Sequence, residues 1–166
     1  MNLIKLLHIE PCRAASFHAR DSLAPEAEAF EQFHVWAEAT GLLPKYGLLT
    51  LIGLNHPWGP EGRPRGYELL CPLDGLDEFD RGPVPIKQSP GGLFAATTIR
   101  GPDRIMQAIE QLHAWVKKHP KYILNYPATY RHGWDPAPEY EIIHTPQPAP
   151  PGQTVIDYCV PIRERE

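Results

Sequence analysis

Near the end of this 166-residue chain, Glu139-Tyr140-Glu141-Ile142-Ile143-His144 sets two carboxylates and an imidazole in one extended run. Side chains alternate along a strand, so Glu139, Glu141 and Ile143 share one face while Tyr140, Ile142 and His144 share the other. A glutamate turned into a cleft loses water, and its pKa rises unless a cation answers it. Cation capture is one chemistry open to Glu141. General acid–base work is a second, if burial lifts the carboxyl toward working pH. The plain alternative is a solvated glutamate on an edge strand. Upstream, Tyr122, Tyr126, Tyr130 and Trp134 recur at every fourth position, but Pro127 and Gly133 argue against an unbroken helix. Aromatics in such a segment either wall a pocket for a flat apolar ligand or anchor a long connection to the core.

Other chemistries fail on spacing. The eight histidines include no His-x-x-x-His pair and none beside a cysteine at ligand spacing, so neither a metal nor a cofactor is expected. Gly59 and Gly62 near Arg63 and Arg65 lack the phosphate-loop pattern and a following helix, and read as a hairpin loop. There is no Gly-x-Ser-x-Gly elbow. Cys12, Cys71 and Cys159 are odd in number and far apart, which fits reduced thiols in the cytoplasm. A formal charge of −4 with no basic run argues against direct nucleic-acid binding. No apolar run approaches the ~20 residues that span a bilayer. Met1–Leu7 is too short for an export signal before His8, Glu10 and Pro11 interrupt it.

The elements that must position these residues are written twice. Ala29-Phe-Glu-Gln-Phe-His-Val-Trp36 returns without a gap as Ala108-Ile-Glu-Gln-Leu-His-Ala-Trp115, 79 residues on. A weaker echo sets Tyr67-Glu-Leu-Leu-Cys-Pro-Leu73 over Ile156-Asp-Tyr-Cys-Val-Pro-Ile162, with the acid, the proline and the last aliphatic residue in register. Two copies are too few for a solenoid but suit one pseudo-symmetric domain, whose natural cleft lies at the seam. Strands are expected at Leu3–Ile9, Arg13–Arg20, Tyr46–Leu54, Tyr67–Leu73, Ile86–Ile99 (bent at Gly91-Gly92), Tyr140–His144 and Thr154–Ile162. Helices are expected from Pro25 to Gly41 and from about Asp103 to Lys118, ended by His119-Pro120. In the helices, Ile105, Ile109, Leu112 and Val116, and Phe30, Phe33 and Ala37, form core-facing stripes. Trp36 and Trp115 stand off those stripes, as core residues or as cleft lining. The expected fold is α+β: duplicated βαββ units in one pseudo-two-fold antiparallel-sheet domain over residues 1–166, with both helices on one face. Repeat one covers about 1–76 and repeat two about 84–163.

At these stretches the chain resembles the GyrI-like small-molecule-binding domains, the effector-binding domains of AraC-type and MerR-type bacterial regulators. Leu54-Asn-His-Pro-Trp58 with Gly66-Tyr-Glu68 looks like the family's asparagine–proline loop and Gly-Tyr-Glu strand. Lys87, Gly91-Gly-Leu-Phe-Ala95, Gly101 and the helix to Trp115 look like the start of its second repeat. Pro138-Glu-Tyr-Glu-Ile-Ile143 and Asp157-Tyr-Cys-Val-Pro-Ile162 look like its closing hairpin. The resemblance implies a cavity between the halves and, on the penultimate strand, an acid that meets ligands, often lipophilic cations. Glu141 matches that acid, while Ile143 stands where the family often has tyrosine.

On this resemblance the chain reads as a stand-alone binder of a small lipophilic molecule, cationic or neutral, that senses or sequesters it. Glu141 supplies charge, and Tyr67, Phe94, Trp115 and Trp134 are candidate walls. A regulator chain is the implied protein partner, since no helix-turn-helix is recognised. The first alternative is a hydrolase of electrophilic small molecules, with Glu141 as acid–base group and Tyr67 or Tyr158 donating a hydrogen bond to developing charge. The second is a protein that binds DNA gyrase.

Overall fold

The computed structural model describes residues 3–42, 50–56, 65–76, 81–101, 104–130, 138–144 and 153–166. Their strands are β1 (Ile4–Ile9), β2 (Cys12–Arg20), β3 (Leu51–Asn55), β4 (Gly66–Pro72), β5 (Ile86–Ser89), β6 (Gly92–Arg100), β7 (Tyr122–Leu124), β8 (Tyr140–Ile143) and β9 (Val155–Glu164). The helices are α1 (Pro25–Ala39) and α2 (Ile105–Lys118). Pro25 sits in the first turn of α1, where its missing N–H costs nothing, and Gly41 closes the helix end at φ 74°. Helix α2 carries Lys117 and Lys118 against its C-terminal dipole and stops at His119. The expected cap Asp103 lies outside the described residues, and α2 itself begins at Ile105.

All strand pairs are antiparallel, in the order β1-β6-β9-β8-β3-β4-β2-β5, with β7 on the end of β9. That order is a palindrome about the β3–β8 pair: β3, β4, β2 and β5 on one side correspond to β8, β9, β6 and β1 on the other. The duplication is therefore an approximate two-fold axis between β3 and β8, and it exchanges α1 with α2. The short β7 replaces part of the expected irregular segment. Pairing with Ile162 to Glu164 buries Tyr122 in the core, as an anchor rather than a pocket wall.

Strand alternation splits the interior in two. Under the helices lie Phe30, Phe33, Trp36, Leu112 and Val116 with Phe17, Leu69, Ile99 and Val160. On the other face, Ala14, Ile52, Leu70, Phe94, Tyr140, Ile142 and Cys159 make a second cluster. The sheet curls around that cluster: the Ser89 hydroxyl on β5 meets the Tyr140 hydroxyl on β8 at 3.1 Å, although three strands separate them in the order. The curl turns at a corner where β1 passes to β2 and β5 to β6. Register runs unbroken across it, Ile9 opposite Gly92 and Cys12 opposite Ser89. Gly91 holds φ 63° there, and a Cβ would stand 2.2 Å from the Ile9 carbonyl oxygen, so only glycine fits.

Candidate functional site

At the seam between the helices, both halves wall one cavity of about 230 Å³. Helix α1 supplies Glu26 and Phe30, β4 supplies Tyr67, and β8 supplies Glu141 and Ile143. Gly101, Ile105, Thr154 and Ile156 close it from the second half. Glu141 is buried, and its carboxylate accepts bonds from the Tyr67 hydroxyl at 2.9 Å and from Asn55 Nδ2 at 2.7 Å. Burial, then the neighbouring Glu26 carboxylate, raises its pKa to about 7 against the pull of those two donors. The crowding of the cavity wall also raises Glu26, although that residue keeps an exposed side. Tyr67 is pushed well above the usual phenol range, by burial and then by Glu141. Among the described residues no lysine, arginine or histidine pairs with Glu141 or Glu26. A buried carboxyl with neutral donors only, and a second acid at its solvent-facing wall, is arranged to accept a cation or a proton.

Gly53 makes this geometry possible. It lies opposite Glu141 across the β3–β8 pair, and a Cβ there would fall 1.8 Å from the Tyr67 hydroxyl oxygen. The ring of Tyr67 crosses β3 through the space that a side chain would fill.

Beside the cavity, Glu139 is ringed by donors. It accepts from the hydroxyls of Tyr126 and Tyr158 and bonds His113 Nε2 at 2.7 Å. Burial would raise this carboxyl, but His113 and the two tyrosines outweigh it and hold the pKa low. Glu139 thus has an imidazole to answer its charge and Glu141 has neutral donors alone, two residues apart on the face that alternation assigned to both. Tyr158 is the direct cross-strand neighbour of Glu141 but spends its hydroxyl on Glu139.

The remaining expected walls scatter. Phe94 is turned by the alternation of β6 to the inner face, where it packs on Tyr140 with ring centroids 4.9 Å apart, so it does not reach the cavity. Trp115 lines a separate open groove of about 410 Å³ with Ile4, Lys118 and His119. Its repeat mate Trp36 is a core residue donating to the Arg81 carbonyl at 2.8 Å. Trp134 lies outside the described residues. Sequence reasoning missed Glu26, whose position in the first helical turn reads as a dipole-favoured surface acid.

The inner face carries polar groups of a different kind. Glu68 accepts from the Ser16 hydroxyl at 2.5 Å, pairs with Lys87 at 2.5 Å and meets His56 Nε2 at 3.3 Å. Across the two-fold, Asp157 accepts from the Thr98 hydroxyl at 2.6 Å, pairs with Lys5 at 2.8 Å and meets His144 Nε2 at 2.8 Å. Both carboxyls would be raised by burial, yet these partners lower them, Glu68 to about 2. The equivalence extends to the main chain: His56 N–H bonds the Gly66 carbonyl and His144 N–H the Val155 carbonyl, each at 3.0 Å. The aligned acids of the echo, Glu68 and Asp157, were the signal for this pair of networks.

No known family profile matches the chain, and no curated protein matches it. Solved structures do. The EcmrR C-terminal domain superposes with TM-score 0.67 at 13% identity, over 99% of each chain. A hydrolase from Listeria innocua gives TM-score 0.62 at 11% identity, over 96% of this chain and 91% of that one. SAV2435 bound to tetraphenylphosphonium gives TM-score 0.51 at 10% identity, over 97% and 94%. At such identities the likeness concerns the fold, and the fold shared is the one that the resemblance to GyrI-like effector-binding domains implied.

Proposed function

We propose that the seam cavity binds a small, mainly apolar molecule bearing a positive charge, and that the chain senses or sequesters it, with a regulator as the protein partner. The observation that carries this reading is Glu141, a buried carboxyl in the cavity with a second acid, the exposed Glu26, on the cavity wall and no described cation beside either. A cationic ligand would hold Glu141 ionised and gain a charge-assisted contact in a dry site. Phe30 and Tyr67, with ring centroids 6.5 Å apart, offer apolar and π surface to the remainder of the ligand. A volume of about 230 Å³ lies below the usual ~300 Å³ floor for drug-sized ligands, which favours a compact ammonium over a bulky one. Support comes also from the shared fold, since one protein that has it, SAV2435, was solved with a lipophilic cation.

The test is a thermal-shift and calorimetric comparison of benzyltrimethylammonium and tetraphenylphosphonium with uncharged aromatics of similar shape. The cation, the smaller one above all, is expected to raise the midpoint in the wild type and not in Glu141→Gln. Because the ligand selects the ionised carboxyl, its affinity should climb as pH rises through about 7. Equal stabilisation of wild type and Glu141→Gln would remove Glu141 from the site.

A second reading rests on the Glu141 pKa near 7, which suits a general acid–base group. Hydrolysis of an electrophilic ligand would use Glu141 to move the proton and the Tyr67 hydroxyl to steady developing charge. Incubation with any stabilising ligand that carries an electrophilic centre, followed by mass spectrometry, separates the readings. Multiple turnovers lost in Glu141→Gln would favour catalysis.

A further inference from the structure

His18 breaks the match between the two inner-face networks. Register sets His18 opposite Glu68 as it sets Thr98 opposite Asp157, so its counterpart in β6 is Thr98. The His18 ring lies 4.0 Å from the ring of His56, and its buried Nε2 has no hydrogen-bond partner. One ligand atom each from His18, His56 and Glu68 falls within 4.8 Å of the others, on β2, at the end of β3 and on β4. A buried imidazole nitrogen without a partner is costly, and here it faces a second imidazole and an ionised carboxylate.

We infer that His18, His56 and Glu68 form a binding site for a divalent transition-metal ion, zinc foremost, on the sheet face opposite the seam cavity. Two imidazoles and one carboxylate are a borderline-soft donor set that suits zinc and leaves a fourth position open. The donors must close from within 4.8 Å to the roughly 3.3 Å that tetrahedral zinc sets between its ligands. His18 is only half-buried, and its side-chain torsions can supply that movement. His18 Nδ1 now accepts from Arg20 Nε at 3.2 Å in an exposed contact. Metal at Nε2 shifts the imidazole proton to Nδ1 and turns Arg20 away to solvent. The metal takes Glu68 Oε2, since Ser16 and Lys87 hold Oε1. Lys87 is half-exposed and repels the ion, so it acts as a competitor that can swing outward. The second half cannot form the site: Asp157 and His144 have only Lys5 and Thr98 beside them.

The experiment uses the full chain with any polyhistidine tag removed, stripped with a chelator and then titrated with Zn²⁺ and Co²⁺. Competition with a chromophoric chelator should give one equivalent bound, and Zn²⁺ should raise the melting midpoint by several degrees. The bound Co²⁺ spectrum should show d–d bands without thiolate charge transfer, which keeps Cys12 out of the site. His18→Ala, whose side chain has little to lose from the fold, should weaken binding at least 100-fold, whereas His144→Ala should leave it unchanged. Lys87→Met should tighten binding several-fold by removing the competing charge, and that gain rescues the inference from any claim that His18→Ala merely misfolds. Absence of a one-equivalent site, or a site equally strong in His18→Ala, overturns the proposal.

Discussion

On the inner face of the sheet, the two halves keep an acid and a histidine in matching places, Glu68 with His56 against Asp157 with His144, and each acid gathers a lysine and a hydroxyl from neighbouring strands, Lys87 and Ser16 or Lys5 and Thr98. On the helix face, at the seam itself, the correspondence fails. Glu141 answers to Gly53 across the axis, Asn55 to Ile143, and Tyr67 to Ile156. Where a carboxylate serves to join strands, both copies keep it with full partners. Where one half supplies a buried acid, the other has surrendered its side chain to make room for Tyr67. The difference separates groups that hold the sheet from groups free to meet a ligand. It also marks His18, an imidazole opposite Glu68 where the other half has Thr98 opposite Asp157.

That contrast can be broken in several ways. The largest effect is expected from Glu68→Ala or Asp157→Ala, each of which strands a lysine and a histidine. Partial exposure of the lysines moderates the 3–5 kcal/mol of a fully buried pair, and urea unfolding should show about 2–3 kcal/mol lost for each. A difference well above ~1 kcal/mol between them would deny that the networks are equivalent. Gly53→Ala should follow closely: its methyl group collides with Tyr67 and must expel that ring, at about 2 kcal/mol as for other overpacked sites. Ligand-induced stabilisation should vanish with it, and an unchanged melting curve would contradict the crossing of Tyr67 over β3.

Acid titration sharpens the comparison further. Glu141 holds its proton to about 7 in the fold, whereas unfolded glutamate releases it near 4.5. The native state therefore binds more protons between those values, and the Glu141 contribution to stability falls as pH rises through that window. Glu68 works in the opposite direction, lowered to about 2. Its contribution is present above 4.5 and is lost as pH falls toward 2. Glu141→Gln should remove up to about 3 kcal/mol of the change in stability across the upper window and leave the lower one intact. Loss of both slopes would show that the two faces are not independent. Smallest of all, His18→Ala without metal should change stability by less than about 0.5 kcal/mol, since it removes a half-exposed ring with an orphaned nitrogen.

The sequence carried the fold because its signals were local. Pro25 and Gly41 bracket α1, Gly91-Gly92 marks the corner, and the paired octapeptides announce the two-fold. The shared face of Glu139 and Glu141 followed from strand period alone. Which of the two would gain a partner for its charge did not, because the answer lies with His113 on α2 and Tyr126 beyond β7. Phe94 and Trp115 illustrate the limit for aromatics, since side and neighbour depend on register and helix rotation. His18 and His56, 38 residues apart, become neighbours only through β2–β4–β3 pairing, beyond any ligand-spacing rule.

The exchange of first strands between the halves bears on how the chain folds. β1 belongs by sequence to repeat one but completes the sheet edge of repeat two on β6, while β5 begins repeat two and completes repeat one on β2. The arrangement is that of a domain-swapped dimer with its two subunits fused end to end. Neither repeat can finish its own edge, so an isolated half would expose an unpaired strand and seek a second copy. Most pairings that close the curl join residues far apart in the chain, which makes assembly slow relative to a helical protein of this size and joins the two halves into one cooperative unit.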